Sequence, residues 1–589
     1  MAEYKISKLY SGAPSYLEPS ENSNYKIPTG TFGLTTDPRT ANILKEVSDK
    51  LSTGVKHIEI EAITPQIFNE IPQQHLKEVN RLSKLTGVDI SVHGPVSDMH
   101  TAGITQQGFS KLDREASERI VINTLERSHE LNPQGNVPVN FHSAEGIPGS
   151  QLLPPSKRTD ERKAAKIIVI NREDGRMLPA DEDIKYYPGK EIKKEVYSPE
   201  KTLKILNESK WDSDLNQVFF NKERADEILN KSKPIINPIL NEIEKGTLTK
   251  ERLAEFPEMA KAYREIKSAE VYLEDLHKQV NNFFSKAYEY GDEHQKSELK
   301  KISENFAEGL EKDHSLFGYS AAMNNLLLEL KKPSVVPRLF VPIEDFAIEK
   351  TSETFGNAAF ASYKKFKDTS PILLIENPPA GFALSTGEDV RQVVEKSREQ
   401  FVKKAVEEGI SERDAKKQSE KLIGATWDVG HINMLRGAGY NEQEVLKETE
   451  KIAPVLKHIH LSDNFGYAHT ELPMGMGNVP MKEIMKRLGQ KGFEATKIIE
   501  AGSWWTHFRT APVQETLEAM GSPIYSVKMA PYWDQTAEFQ KGYYGGMGPT
   551  FPQANYETFG GSFSRLPVEL GGQINGGAAG NRMSGRGME

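Results

Sequence analysis

Imidazole and carboxylate groups stand at the ends of short apolar runs in this chain, and that placement is its first chemical signal. Ile90-Ser91-Val92-His93 ends on a histidine, Val137-Pro138-Val139-Asn140-Phe141-His142 on another, and Ile372-Leu373-Leu374-Ile375-Glu376 on a carboxylate. Ala425-Thr426-Trp427-Asp428 is followed three residues on by His431, His458-Ile459-His460 leads to a further imidazole, and Lys497-Ile498-Ile499-Glu500 closes on a carboxylate. At the end of a buried strand such groups are costly unless they are paired or bound to a cation. Each taken singly has a structural explanation, as a hydrogen-bonded histidine or an acid paired with Lys or Arg. Taken together, the carboxylates would repel, and a multivalent cation is the simple way to hold them all ionised. The chain has no cysteine, which excludes disulfides and thiolate ligation. Imidazole plus carboxylate suits zinc first, then manganese or iron, over calcium or magnesium.

Elements must bring these groups together. Two earlier runs, Thr31 to Thr35 and His57 to Glu61, complete a set of eight, each short enough for a buried parallel strand. Amphipathic stretches such as Val390 to Glu408 and Glu442 to Ile452 lie between them. Strand and helix alternating eight times is the pattern of an α/β protein with a (β/α)8 TIM barrel, whose strand ends converge on one face. No G-x-G-x-x-G follows any of the runs, so an open doubly wound sheet ranks below the barrel.

The gap between the fourth and fifth runs is too long for a loop. The expected organisation is therefore residues 1–148 as the first half of the barrel, 149–334 as a large inserted module, 335–528 as the second half, and 529–589 as a C-terminal tail. The insertion opens with Lys166 to Ile170 and a hairpin-like turn at Asn171 to Gly175, then turns helical and highly charged. Acidic and basic residues alternate along it, as in a solvated helical bundle with its own core. It is a candidate surface for another protein or for self-association. The tail mixes aromatics with glycine, and its last residues are expected to be disordered. No run of eighteen apolar residues and no secretory h-region occurs, so the expected location is the cytoplasm, with no membrane span. Charged residues make up 27% and the net charge is -9, which weighs against broad binding of nucleic acid.

The strand-end motifs resemble those of the endonuclease IV group (AP endonuclease family 2) among the xylose isomerase-like TIM barrels. Asn140-Phe141-His142 is similar to the family's Asn-Phe-His, and Ile375-Glu376-Asn377-Pro378 to its Ile-Glu-Asn-Thr. Asp428-Val429-Gly430-His431, followed by Ala438-Gly439-Tyr440, resembles Asp-Thr-Cys-His and the Ala-Gly-Tyr after it. His460-Leu461-Ser462-Asp463 resembles His-Leu-Asn-Asp, and Gly475-Met476-Gly477-Asn478-Val479 resembles Gly-x-Gly-Asn-Ile. The resemblance covers roughly residues 30–148 and 335–520. It implies that His93 and His142 bind one metal, that Glu376 bridges to a second, and that Asp428, His460 and Glu500 complete the second. His431 would belong to a third site. There the family has Asp-x-His, whereas this chain has His469-Thr470-Glu471, the same ligand types in reversed order. Two or three divalent ions per chain remain open. The insertion and the tail leave the family's DNA-contacting loops without counterparts.

Among the remaining residues, His458 reads as a core or supporting group and Asp463 as one that orients an imidazole. Glu59 and Glu61 share a face of the second strand; Glu61 could reach the rim, but a structural pairing ranks above that. Trp504, Trp505 and His507 could line a pocket or pack on the tail. Three functions follow. The first is hydrolysis of a phosphodiester, abasic DNA included, by clustered metals, with Glu376, Asp428 and Glu500 as the catalytic carboxylates. The second is isomerisation or epimerisation of a sugar or related polyol, with a rim carboxylate moving the proton. The third is a metal-containing scaffold with a partner-binding insertion. Histidine-rich ligation favours the first, and the expected substrate is phosphorylated or sugar-like.

Overall fold

The structure is a computed structural model that describes residues 32–520, apart from short stretches of which 245–256 is the longest. Eight parallel strands close into a barrel: β1 (Phe32–Thr35), β2 (His57–Glu61), β3 (Asp89–His93), β4 (Pro138–His142), β5 (Ile372–Glu376), β6 (Ile423–Asp428), β7 (Leu456–Leu461) and β8 (Thr496–Ile499). Each pairs with its neighbours in sequence order, and β1 pairs with β8 to close the ring. The expected TIM barrel is therefore present, and the open sheet is excluded.

Period two explains how apolar strands carry a polar centre. On β2, Ile58 and Ile60 are fully buried in the main apolar core. The alternate residues His57, Glu59 and Glu61 face the other way, toward the barrel axis. On β4, Val139 and Phe141 join that apolar core, while Asn140 and His142 face the interior. Helices cover the outside. Gly387–Glu407 starts at a capping box between Thr386 and Asp389, and Glu442–Ile452 starts at one between Asn441 and Glu444.

Within the inserted stretch, Ala164–Asn171 and Met177–Asp181 form the antiparallel hairpin that the turn signal predicts. A second antiparallel pair joins Asp183–Tyr187 and Lys193–Tyr197. Among the described residues four helices follow: Pro199–Glu244, Pro257–Tyr290, Glu293–Lys312 and Leu316–Leu330. They pack on a core of their own that includes Trp211, Leu215, Leu273, Leu276 and Leu327. The sheet of this stretch reaches past residue 334, because Phe340–Pro342 pairs antiparallel with Val169, Ile170 and Asn171. Residues 529–589, Trp505 and His507 lie outside the described residues. Among the described residues no helix is long and apolar enough to cross a membrane.

Phe141 and Trp211 are both fully buried, one in each core. Phe141→Ala and Trp211→Ala are each expected to cost about 3–5 kcal/mol. Because the two residues share no core, their effects should add to within about 0.5 kcal/mol in the double variant. Denaturant unfolding of the four proteins checks this, and a larger departure would show the two cores to be energetically coupled.

Candidate metal centre

Strand register places the ionisable groups side by side at one end of the barrel. Glu61 lies opposite His93, His142 opposite Glu376, and Asp428 opposite His460. Glu500 follows β8 directly, its N–H bonded to Leu461 O at 3.0 Å. Glu376 is at the centre and has no solvent exposure. Its Oε2 is 3.1 Å from His93 Nε2 and 3.8 Å from His142 Nε2. Its Oε1 is 2.9 Å from His460 Nδ1 and 3.9 Å from His431 Nδ1. His460 Nδ1 is also 3.0 Å from Glu500 Oε1.

Local structure aims the remaining groups. Asp428 caps the short helix Val429–Asn433, accepting the His431 N–H at 2.7 Å, and it also accepts the Ser462 hydroxyl at 3.1 Å. Gly430 sits against Ser462 Oγ, so a side chain there would collide with the strap that holds Asp428. His431 Nδ1 lies 2.7 Å from Asn377 O, and its Nε2 lies 2.8 Å from His469 Nε2. His469 Nε2 is 3.8 Å from Glu471 Oε1, and both side chains are more than a third exposed.

The nine residues singled out from the sequence thus lie around one end of the barrel, but not equally close. Ligand atoms of Glu376, Asp428, His460 and Glu500 all lie within 4.8 Å of one another, as do those of His93, Glu376 and His460. His142 stands at the edge, its ring 5.2 Å from His93 and 5.7 Å from His431. His431, His469 and Glu471 are linked in a chain by the two contacts above.

Two residues play parts that differ from their reading in the sequence. Asp463 does not orient an imidazole. Its carboxylate accepts the N–H groups of Gly475, Gly477 and Val479 at 2.8, 2.9 and 3.0 Å, and so shapes the loop after β7. A Cβ on Gly477 would strike Asp463 Oδ1, which is why glycine stands there. Glu59 is more than a structural pairing. It is fully buried beneath the centre and shares ligand-like groups with His458 and His460, and with Glu61 and Glu500. The period-two series His57, Glu59, Glu61 was the available signal.

The electrostatics show how the cluster balances its charge. Burial raises the Glu376 carboxyl, but His460, His142 and His93 overcome it and hold it well below the usual carboxylate range. Burial lowers His93, yet Glu376 takes it up to about 10. His460 is likewise depressed by burial and carried well above its ordinary value by Glu376, Glu500 and Glu59. Burial pushes Glu500 well up, with His460 opposing and Glu376 and Asp428 adding. Protons on His93, His460 and Glu500 therefore stand where positive charge is wanted. A buried donor set of imidazoles and carboxylates that needs added positive charge fits a divalent cation.

Residues 375–521 match the model of the family described as xylose isomerase-like TIM barrel. Those residues run from the end of β5 through β8 of the closed parallel barrel. An uncharacterized protein of Methanocaldococcus jannaschii, MJ1311, is 34% identical over 80 residues, which are 14% of this chain and 26% of that protein. The chain thus spans about a quarter of the length of this curated relative. Among solved structures, a D-tagatose 3-epimerase-like protein is 12% identical with a TM-score of 0.36, covering 84% of this chain and 99% of its own. The D-psicose 3-epimerase of Clostridium cellulolyticum H10 is 8% identical with a TM-score of 0.34, covering 79% and 83%. A D-psicose 3-epimerase determined with D-fructose is 9% identical with a TM-score of 0.35, covering 80% and 84%.

A cation that binds His93 must displace its proton. With that imidazole raised to about 10, the neutral form gains population as pH rises through 10. Divalent-cation affinity of the stripped protein should therefore strengthen from pH 7 to pH 9, with proton release on binding. Calorimetric titration in two buffers of different ionisation enthalpy measures the release. Binding that is independent of pH, with no proton released, would contradict this account of the cluster.

Proposed function

We propose that this chain is a divalent-cation-dependent isomerase or epimerase acting on a sugar or related polyol. The observation that carries the reading is the group Glu376, Asp428, His460 and Glu500, with ligand atoms all within 4.8 Å of one another. Three carboxylates and one imidazole make an oxygen-rich set that holds a single hard cation such as manganese. When bound, that cation supplies polarisation of a substrate carbonyl or hydroxyl.

The residues themselves would handle the proton. Without the cation Glu376 is held ionised while burial drives Glu500 toward its protonated form, and a bound cation would favour the carboxylate form of both. Glu61 adds a third carboxyl beside Glu500, pushed up to about 8 by burial, with His93 opposing and Glu59 and Glu471 adding. Such groups can take a proton from carbon and return one. His469 and Glu471, more than a third exposed, would offer polar groups to a small polar substrate from the solvent side.

Hydrolysis of a phosphodiester is the second reading, and two observations favour it. The two oxygens of Glu376 face different sets of imidazoles, and His431 meets His469 at 2.8 Å. Both leave room for more than one cation, which suits phosphoryl chemistry. The net charge of -9 supports a small substrate over DNA.

Two measurements decide between the readings. Manganese-loaded protein incubated with a panel of ketohexoses and ketopentoses in D2O should incorporate deuterium at the carbon beside the carbonyl and yield an epimer or aldose. Elemental analysis should give one tightly held cation per chain. Two or three cations, nicking of an abasic-site duplex and no deuterium incorporation would overturn the proposal in favour of hydrolysis. In that case Glu471→Ala should lower the metal count by one.

A further inference from the structure

Three histidines of the centre, His93, His431 and His460, are held in two ways. His93 and His431 each have Nδ1 against a backbone carbonyl, Gly94 O at 2.9 Å and Asn377 O at 2.7 Å. Each therefore faces the centre with Nε2. His460 is turned the other way. Its Nδ1 faces Glu376 and Glu500, and its Nε2 lies 3.0 Å from Glu59 Oε1.

Glu59 is an expensive group to place there. It has no solvent exposure, and its burial on the barrel axis is a large penalty for a carboxylate. Three neighbours keep its other oxygen in place. Oε2 accepts the Ser91 hydroxyl at 2.5 Å and the Asn140 amide at 2.7 Å, and His458 Nε2 lies 3.2 Å away. Asn140 is itself fixed, because its Oδ1 accepts the Thr426 hydroxyl. Oε1 accepts no other hydrogen bond and lies 3.0 Å from His460 Nε2, a nitrogen that the Asn140 amide also approaches at 3.2 Å.

We propose that Glu59 is a positioning residue that holds His460 as the Nε2–H tautomer, so that Nδ1 presents its lone pair to the cation of the proposed metal centre. A carboxylate does this more strongly than the carbonyls behind His93 and His431, because it draws on the Nε2 proton and makes Nδ1 a better donor. His460 is the imidazole of the four-residue group, so the device acts on the cation whose other three ligands are carboxylates. The inference rests on the metal reading of the centre and is independent of which substrate is used.

The test uses the full chain stripped with a chelator and titrated with zinc(II) in competition with a fluorescent indicator. Glu59→Gln keeps the shape and an acceptor oxygen but removes the charge. It should weaken the tightest zinc site by about 10–100-fold, with far-UV circular dichroism unchanged. Zinc affinity within twofold of the parent protein would overturn the positioning role. A merely structural Glu59 would lower the unfolding midpoint of the stripped protein and leave zinc affinity as it was. If the variant does not fold, nitrogen NMR of histidine-labelled, zinc-loaded parent protein decides, with the signal assigned by its loss in His460→Gln. A proton on Nε2 and a ligated Nδ1 are expected, and a proton on Nδ1 would overturn the proposal. A parent protein that takes up no zinc and no manganese would instead remove the metal reading itself.

Discussion

Carboxylates buried on the axis of a barrel are the constraint on which the rest of this structure turns. Glu59, Glu376 and Asp428 have no exposure to solvent. An ionised carboxylate in that position is destabilising by several kcal/mol unless positive charge and hydrogen-bond donors surround it. The surroundings follow from that need. His93 and His142 approach one oxygen of Glu376 and His460 the other, while Ser91 and Asn140 donate to Glu59. Asp428 is held by a backbone N–H and a serine hydroxyl. Small and polar residues on the inner faces of β3, β4 and β6 are there because the acids are.

The apolar outer faces make this arrangement affordable in structural terms. Ile58, Ile60, Val139, Phe141, Leu373, Ile375 and Ile459 lie on the same strands as the polar groups and pack against the covering helices. Hydrophobic burial over that shell holds the strands in register. Register in turn fixes which acid meets which imidazole: a slip by one residue would turn Glu376 outward and Ile375 inward. Stability and chemistry are thus divided between the two faces of one sheet.

The centre is also unequal around its rim. On the side of β5 to β8, Glu376, Asp428 and His460 are buried and multiply held. In the loop after β7, His469 and Glu471 are more than a third exposed. Asp463 ties the following turn through three backbone N–H groups, so the base of that loop is firm while its tip faces solvent. A buried donor set beside an exposed edge would suit the proposed centre, which would have to keep a cation and still admit and release a substrate.

Much of this was legible from residue order alone. Eight apolar runs separated by amphipathic stretches determined the barrel, because parallel strands buried on both faces must be continuous and short. The acids and imidazoles at the ends of those runs marked the rim, since strand ends in this fold share one face. The hairpin at Asn171 to Gly175 and the charged helices after Pro199 were legible by the same local rules. What sequence could not supply was anything set by contact across the barrel. Glu59 and Glu61 look alike in β2, yet one lies beneath the centre against His460 and the other beside Glu500. Asp463 looks like a partner for a histidine, yet its carboxylate is taken up by the turn at Gly475 to Val479. Phe340–Pro342 joins a strand some 170 residues earlier, which no local pattern announces. Alternation along a strand is a property of the chain and can be read from it. Which carboxylate lies beside Nε2 of His460 is another matter, because Glu59 is three strands away around the ring and only closure of the barrel brings the two together.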